Sequence, residues 1–206
     1  MRFQTLDEWL DWQLTLHPRE IELGLERVSR VWQQLRPEGL NSRVVSVAGT
    51  NGKGSSVALL DSIYRQAGYR VGCYTSPHLV RYNERIRINA EMVDDARLCE
   101  AFARIDQARG ETPLTYFEFG TLAALDLFAG EPPDLVLLEV GLGGRLDAVN
   151  IIDADVALIT SIDLDHMDWL GETREQIGVE KAGIMRRGRP AVLGQADMPD
   201  SVRGAA

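Results

Sequence analysis

Residues 44–56 read VVSVAGTNGKGSS, in which an apolar strand pattern runs into a glycine-rich turn that carries a single lysine. Glycine lets the backbone approach phosphate oxygens and point successive N–H groups at them, and the Lys53 ammonium neutralises phosphate charge. Apolar residues at helical spacing follow, so the turn opens a helix whose N-terminal dipole also favours an anion. The stretch predicts a triphosphate-binding loop formed by Gly49, Thr50, Asn51, Gly52, Lys53, Gly54 and Ser55.

The loop departs from the common phosphate-loop pattern at Gly54. That pattern places Ser or Thr directly after the lysine, whereas the first hydroxyls here belong to Ser55 and Ser56. Many glycine-rich turns after strands bind nothing, but a lysine together with a preceding strand and a following helix favours phosphate binding. The loop alone leaves open where the phosphate goes.

Composition and charge set the class of protein. The 206 residues are 45% apolar and 26% charged, as is ordinary for a globular protein, and they suffice for one α/β domain with an N-terminal arm. The net charge of −9 argues against broad binding of nucleic acid or of an anionic membrane. Cys73 and Cys99 fit small packing residues in a reducing compartment. With no secretory peptide and no apolar run of membrane-spanning length, we expect a cytoplasmic protein.

Two segments near the N-terminus have apolar residues at helical spacing. They predict helices over residues 5–14 and 20–35, interrupted at His17-Pro18 and closed by the Pro-Glu-Gly sequence at 37–39. We therefore expect an N-terminal helical arm over residues 1–40, followed by a phosphate-loop domain over residues 41–206.

Strand and helix patterns alternate through the rest of the chain. Residues 135–140 and 156–160 are apolar without alternation, as expected of parallel strands covered on both faces. Further strands are predicted at 69–74 and 190–193, a half-exposed strand or ribbon at 85–89, and helices at 94–109, 116–128 and 174–185. This order predicts an α/β fold with a doubly wound, mostly parallel sheet.

Four polar clusters come directly after strand patterns, so they should meet at one edge of the sheet, where ligands of such folds bind. They are the loop at 49–55, residues 75–78, Glu139 with the following glycine turn, and residues 161–166. Glu139 interrupts an apolar strand, and because an unpaired buried carboxylate is costly it should meet a cation or several donors. Magnesium is the simplest partner; N–H groups of residues 141–144 are the alternative.

Several other polar residues allow two interpretations. Arg145 and Asp147 could hold a substrate or only pin the glycine turn. His166 could bind metal or phosphate, or be structural. Ser76 needs no function in a Ser-Pro turn, and a Glu-Lys pair such as the one at 180–181 is ordinarily solvated. The residues alone indicate a magnesium-nucleotide enzyme or a nucleotide switch.

Six motifs follow one another along the chain: AGTNGKGS at 48–55, TSPHL at 75–79, LTYFE at 114–118, LEVGLGGRLD at 138–147, TSIDLDH at 160–166 and EKAGI at 180–184. In this order they resemble the motifs of the bacterial folylpolyglutamate synthase/dihydrofolate synthase family, which belongs with the Mur-type amino-acid ligases. The extra Gly54 is this family's own form of the loop. The resemblance spans nearly the whole chain and implies a Mur ligase-like central domain.

The resemblance implies an ATP-dependent ligase. ATP phosphorylates a carboxylate of dihydropteroate or of a folate, and the amine of L-glutamate attacks the resulting acyl phosphate. It further implies Mg²⁺ held by Ser76, Glu139, His166 and Lys181, with Lys181 carbamylated by carbon dioxide. Lys53, His166 and Lys181 are then the catalytic residues. Because a carbamate forms from the neutral amine, we expect a partly buried Lys181 beside His166.

The resemblance also implies a substrate site and a C-terminal domain that this chain does not contain. Phe117 is a candidate for stacking on a pterin ring, with a core aromatic as the alternative. Family members are roughly twice as long, with a C-terminal glutamate-ligase domain, so we expect this chain to be a fragment that ligates little by itself. We also expect a monomer that acts on small molecules. The alternatives are a nucleotide switch and a ligase of cell-wall precursors. The residues matching the pterin-substrate segments are Ile21, Glu22, Leu23, Thr115, Tyr116, Phe117, Glu118, Leu146, Asp147 and Ala148.

Overall fold

The computed structural model describes all residues from 1 to 206, and its seven strands form a single sheet. In chain order the strands are β1 (Arg43–Ala48), β2 (Val71–Tyr74), β3 (Ile86–Ile88), β4 (Glu91–Met92), β5 (Leu135–Glu139), β6 (Val156–Ile159) and β7 (Ala191–Leu193). Their order across the sheet is β4-β3-β2-β5-β1-β6-β7. Strands β2, β5, β1, β6 and β7 are parallel, whereas β3 and β4 form an antiparallel edge. The predicted α/β fold with a mostly parallel sheet is confirmed.

Eight helices surround the sheet. They are α1 (Leu6–Gln13), α2 (Glu26–Leu35), α3 (Lys53–Gln66), α4 (Asp95–Arg109), α5 (Tyr116–Gly130), α6 (Met167–Leu170), α7 (Arg174–Ala182) and α8 (Asp200–Arg203). The short helices α6 and α8 were not predicted, because four residues give no helical periodicity to detect. None of the helices is both long and apolar enough to cross a lipid bilayer.

Strand β1 lies near the middle of the sheet, between β5 and β6. Every residue of β1 after Arg43 is buried, and so is every residue of β5. This explains their unbroken apolar runs, since strands covered on both faces have no solvent side. The loop that follows β1 therefore leaves the sheet at the centre of its carboxyl edge, and Glu139, the last residue of β5, ends directly beside it.

Helix α5 is almost wholly buried and carries part of the candidate site. Thr115 caps its N-terminus by accepting from the Glu118 N–H, while the Glu118 carboxylate accepts from the Thr115 N–H at 2.8 Å. This reciprocal pair satisfies two N–H groups that the helix itself leaves unbonded. The cap fixes where α5 begins, and it thereby sets the position of Phe117 in the first turn.

The two N-terminal helices share the core of the sheet domain. Trp9 from α1 and Val31 from α2 are fully buried in the same hydrophobic cluster as Phe102 and Phe119. Arg27 of α2 donates to Glu118 of α5 at 2.9 Å. The helices of the arm expected over residues 1–40 are therefore held against the sheet domain by buried apolar side chains and by the Arg27–Glu118 ion pair.

The second helix was predicted to begin at residue 20, and this is wrong, because α2 begins at Glu26. Gly24 has φ of +155°, a conformation outside the helical range, and its N–H bonds to Leu146 O at 3.3 Å. The Glu22 carbonyl accepts from the Arg27 side chain. Residues 20–24 are thus held in an irregular segment by long-range contacts that helical periodicity cannot reveal.

Of the ribbon predicted at residues 85–89, only Ile86–Ile88 form a strand, because Arg85 ends a 3-10 turn and Asn89 begins the next turn. Strand β3 pairs antiparallel with β2 on one side and with β4 on the other. Ile86 and Ile88 are buried and Arg87 is half-buried, which matches the alternation read from the sequence. Asn89 and Ala90 both have positive φ, so they form the tight turn between β3 and β4.

Candidate active site

The phosphate loop requires glycine at two positions. Gly49 has φ of +150°, and a Cβ there would lie 1.8 Å from Thr160 Oγ1. Gly52 has φ of +82° and is the first residue outside helix α3. The loop is anchored to the segment after β6, because the Thr50 N–H donates to Ser161 O at 2.8 Å and Thr160 Oγ1 donates to Asn51 O at 2.7 Å. Two of the predicted polar clusters therefore meet here.

Lys53 and Lys181 are the only lysines among the 206 residues, and the fold brings them together. Each ammonium donates to the Gly49 carbonyl at 3.0 Å. Lys181 is only 3% exposed. Burial, and secondarily the nearby Lys53 charge, lowers the pKa of Lys181 to about 8. Lys181 is therefore buried, as the resemblance led us to expect, and its amine lies at the phosphate loop.

Glu139 is buried at the end of β5 and accepts one hydrogen bond, from the Ser76 N–H at 3.1 Å. The backbone N–H groups of residues 141–144, the alternative to a cation, do not donate to the Glu139 carboxylate. Burial raises the pKa of Glu139, against the lowering effects of the Ser76 bond and of Lys53. A Cβ on Gly54 would lie 3.6 Å from Glu139 Oε1, so the start of α3 lies against this carboxylate. With a single hydrogen bond, the buried Glu139 carboxylate is incompletely satisfied, as expected of a group that binds a cation.

Contacts of Arg145 and Asp147 hold the glycine turn after β5 in place. Arg145 pairs with the Glu180 carboxylate at 2.8 Å, and its N–H donates to the Glu180 carbonyl at 2.7 Å. Buried Asp147 accepts from the N–H groups of Leu142 and Val149 at 2.8 and 3.0 Å. Burial outweighs these bonds and raises the pKa of Asp147 to about 6. Both side chains hold the turn, and Asp147 also borders the cavity described below.

His166 lies at the same edge of the sheet but is exposed. It has φ of +46°, precedes helix α6, and its Nε2 lies 3.6 Å from the Asp165 carboxylate. Lys181 makes its side-chain hydrogen bond to Gly49 and none to His166. No group of three or more His, Cys, Asp or Glu side chains is close enough to hold a metal ion. A metal here would need further oxygen ligands.

A cavity of about 270 Å³ opens beside Ser76 and His166, and we refer to it as the central cavity. Nine of the ten predicted substrate residues line it. The tenth, Tyr116, lies outside and packs edge-on against the Tyr82 ring at 5.8 Å. The nine are Ile21, Glu22, Leu23, Thr115, Phe117, Glu118, Leu146, Asp147 and Ala148.

Phe117 forms an apolar wall of the central cavity. Its ring is half-buried, with its centroid 6.1 Å from that of Tyr74. A Cβ on Gly141 would lie 2.6 Å from this ring, so the backbone of the glycine turn packs directly against it. Glu118 supplies a polar feature: its Oε1 is buried with no partner, although its Oε2 binds Arg27 and Thr115. The wall therefore offers an aromatic face and an unused acceptor.

The sequence interpretation missed Arg85, which also lines the central cavity and is 9% exposed. The alternating pattern predicts residue 85 only as the start of a ribbon. It lies instead in a single 3-10 turn over Tyr82–Arg85, and its burial depends on packing against helix α5. No local pattern distinguishes the buried Arg85 from an arginine on the exposed face of a ribbon.

The model of the Mur ligase middle domain matches residues 47–201 of this chain. The chain belongs to the Mur ligase family. The chain is 53% identical over 201 residues to the dihydrofolate synthase/folylpolyglutamate synthase of Escherichia coli (strain K12), and the match covers 98% of the chain and 48% of that protein. It is 37% identical over 198 residues to the Bacillus subtilis protein of the same name, with 92% and 45% covered. The resemblance inferred from the six motifs is confirmed.

Solved structures give the same result. E. coli FolC in complex with DHPP and ADP superposes on this chain with a TM-score of 0.96 at 53% identity, covering 98% of this chain and 49% of the FolC chain. The Yersinia pestis bifunctional folylpolyglutamate synthase/dihydrofolate synthase, complexed with AMPPNP and Mn ion, has a TM-score of 0.93 at 54% identity, with 98% and 50% covered. The chain spans about half the length of these relatives.

Proposed function

We propose that this chain is the ATP- and pterin-binding half of a ligase. The ligase joins L-glutamate to dihydropteroate, which makes dihydrofolate, and to the glutamate tail of folates. The observation that carries this proposal is the contact between two sites: Ser76 lines the central cavity and also donates to Glu139, which adjoins the phosphate loop. An acceptor substrate, the pterin compound to which glutamate is joined, would therefore bind in the cavity with its reacting carboxylate beside the nucleotide phosphates.

The chemistry suits such an arrangement. A carboxylate lacks a leaving group, so its conversion to an acyl phosphate makes attack by the glutamate amine feasible. The backbone N–H groups of the loop and the Lys53 ammonium orient the phosphates and offset the charge that develops on them. In this proposal Lys53 leaves the Gly49 carbonyl, its present partner, for phosphate oxygens.

The residues fit a magnesium site with one addition. Mg²⁺, when bound, would neutralise phosphate charge and hold the nucleotide in place. Ser76, Glu139 and His166 would provide ligands, but Glu139 is the only carboxylate among them. A carbamate on Lys181 would add oxygen ligands, and the buried, low-pKa amine of Lys181 favours its formation. We therefore retain Lys181 as the carbamylated, fourth ligand.

The central cavity fits a pterin acceptor. The Phe117 face can stack on a flat heterocycle, and Glu118 Oε1, which has no partner in the protein, can accept from its N–H groups. Pterin rings carry an amino group and a ring N–H on one edge. This match supports folate substrates over cell-wall precursors. We also propose a cytoplasmic monomer that binds no nucleic acid.

The proposal assumes a longer protein that contains this chain. The test compares glutamate-dependent ADP release by that longer protein with release by residues 1–206 alone. We expect release by the longer protein with dihydropteroate and with tetrahydrofolate, none with cell-wall precursors, and very little by the isolated chain, which cannot exclude water from the reacting phosphate. Nucleotide turnover that ignores every acceptor would instead favour a switch.

A further inference from the structure

Arg85 is a buried cation without a carboxylate partner. It and Arg109 are the two arginines buried to 9% exposure, and Arg109 pairs with Asp106 at 2.7 Å. Arg85 takes part in none of the 20 ion pairs of the chain. Buried charges in proteins are normally paired, because desolvation of an isolated ion is costly. An unpaired guanidinium in a cavity wall therefore points to an anion supplied by a ligand.

Neighbouring side chains hold the guanidinium in place. Its Nε donates to His78 Nδ1 at 2.8 Å, and this is its single side-chain hydrogen bond. The charge lies 5.4 Å from the Tyr82 ring centroid and 5.7 Å from that of Tyr116. With Nε engaged and two aromatic rings flanking the group, no carboxylate or carbonyl of the protein occupies the terminal nitrogens, so they remain for a bidentate acceptor. Tyr116, which does not itself line the cavity, thus contributes by flanking Arg85.

The backbone places Arg85 next to the reacting region. The Arg85 carbonyl accepts from the Thr75 N–H at 2.9 Å. Ser76, which follows Thr75 in the chain, donates its own N–H to Glu139. Arg85 and Ser76 therefore border the central cavity side by side. An anion bound by Arg85 would lie on the side of the cavity that leads to the phosphate loop.

We propose that Arg85 binds a carboxylate of the acceptor substrate through its two terminal nitrogens and so orients the acceptor toward the phosphate loop. The proposal rests on the proposed function and adds a residue that determines which acceptors bind. The carboxylate has two possible sources: the benzoate end of dihydropteroate and the glutamate tail of a folate.

The test measures equilibrium binding by fluorescence. The variants Arg85→Met, Arg85→Lys and the control Arg81→Met are titrated with dihydropteroate, with tetrahydrofolate, and with a reduced pterin that has no benzoate arm. Arg81 is a suitable control because it is close in sequence, is largely exposed and does not line the central cavity. We expect Arg85→Met to weaken binding of dihydropteroate, of tetrahydrofolate or of both about tenfold or more, and to leave binding of the arm-free pterin unchanged.

Arg85→Lys should recover part of the affinity, since a lysine keeps the charge but loses the fork of two nitrogens. Loss confined to dihydropteroate, or to tetrahydrofolate, identifies which carboxylate is bound. Equal weakening of the arm-free pterin by Arg85→Met would show a role in folding only and would overturn the proposal, as would unchanged binding of both acceptors.

The wild-type titrations separate this proposal from the proposed function. A wild-type protein that binds none of the pterins overturns both. A wild-type protein that binds all three, with Arg85→Met indistinguishable from it, overturns the role of Arg85 alone.

Discussion

The ammonium groups of Lys53 and Lys181 meet at one acceptor, the Gly49 carbonyl, although 128 residues separate them in sequence. Two cations that share a carbonyl repel each other, and Lys53 is one cause of the low pKa of Lys181. The phosphate loop therefore helps to prepare the second lysine as an amine. Anions of a bound nucleotide would relieve the same repulsion.

The first prediction concerns the carbamate on Lys181. Since the pKa of Lys181 is lowered to about 8, its neutral fraction rises between about pH 7 and about pH 9, and carbamate formation should rise with it. The measurement is carbon NMR with labelled bicarbonate. Because the chain has only two lysines, assignment needs two variants: Lys181→Arg should abolish the signal, and the matched control Lys53→Arg should retain it. A signal that persists in Lys181→Arg contradicts the assignment.

The second prediction compares two glycines of the phosphate loop. Gly49→Ala should lower the free energy of unfolding by about 2–4 kcal/mol, because its Cβ would overlap Thr160 Oγ1 and its φ disfavours a side chain. Gly54→Ala is the control, since that residue is helical and its Cβ would have an ordinary contact with Glu139. It should change stability by less than about 1 kcal/mol. Urea unfolding of both variants decides; equal losses would refute the steric explanation.

The third prediction concerns the ion pair that joins α2 to α5. Arg27→Met should destabilise the protein by about 3 kcal/mol, because it leaves the buried Glu118 carboxylate without its cation. Glu118→Gln in the same chain should reduce that loss. Arg30→Met, on the next turn of α2, removes only an exposed pair at 3.9 Å and should cost less than about 0.5 kcal/mol. Additive effects of Arg27→Met and Glu118→Gln in thermal unfolding would mean that the pair is not coupled.

The fourth prediction is a pH dependence caused by Asp147. Its pKa is raised from 3.8 to about 6, so the folded state binds the proton more tightly than the unfolded state. Its contribution is therefore fully present below about pH 4 and is lost as the pH rises through about 6. Asp147→Asn should remove this slope. It should also cost about 1–3 kcal/mol at all pH values, because an amide cannot accept both backbone N–H bonds.

The measurement for Asp147 is urea unfolding at several pH values, with the difference between wild type and variant plotted against pH. A constant difference would show that Asp147 has an ordinary pKa in the folded state.

Local patterns predicted the parts of this protein that depend on neighbouring residues. The strand, turn and helix around residues 44–66 follow from an apolar run, glycines and helical spacing, and the order of strands and helices gave the parallel sheet. The predicted start of α2 was wrong because Gly24 is held by a hydrogen bond to Leu146 and Glu22 by one from Arg27. Periodicity reports which face of an element is apolar, and it does not report such long-range bonds.

The sequence by itself determined that a phosphate loop with one lysine lies at the carboxyl edge of an α/β sheet. This follows because strand burial, glycine conformation and helix initiation are local properties. Only the tertiary structure decided that Lys181 shares the Gly49 carbonyl with Lys53, that Glu118 keeps an unused oxygen, and that Arg85 is buried without a counter-ion. These properties depend on which distant segments exclude water from each charge, and burial of that kind exists only in the folded chain.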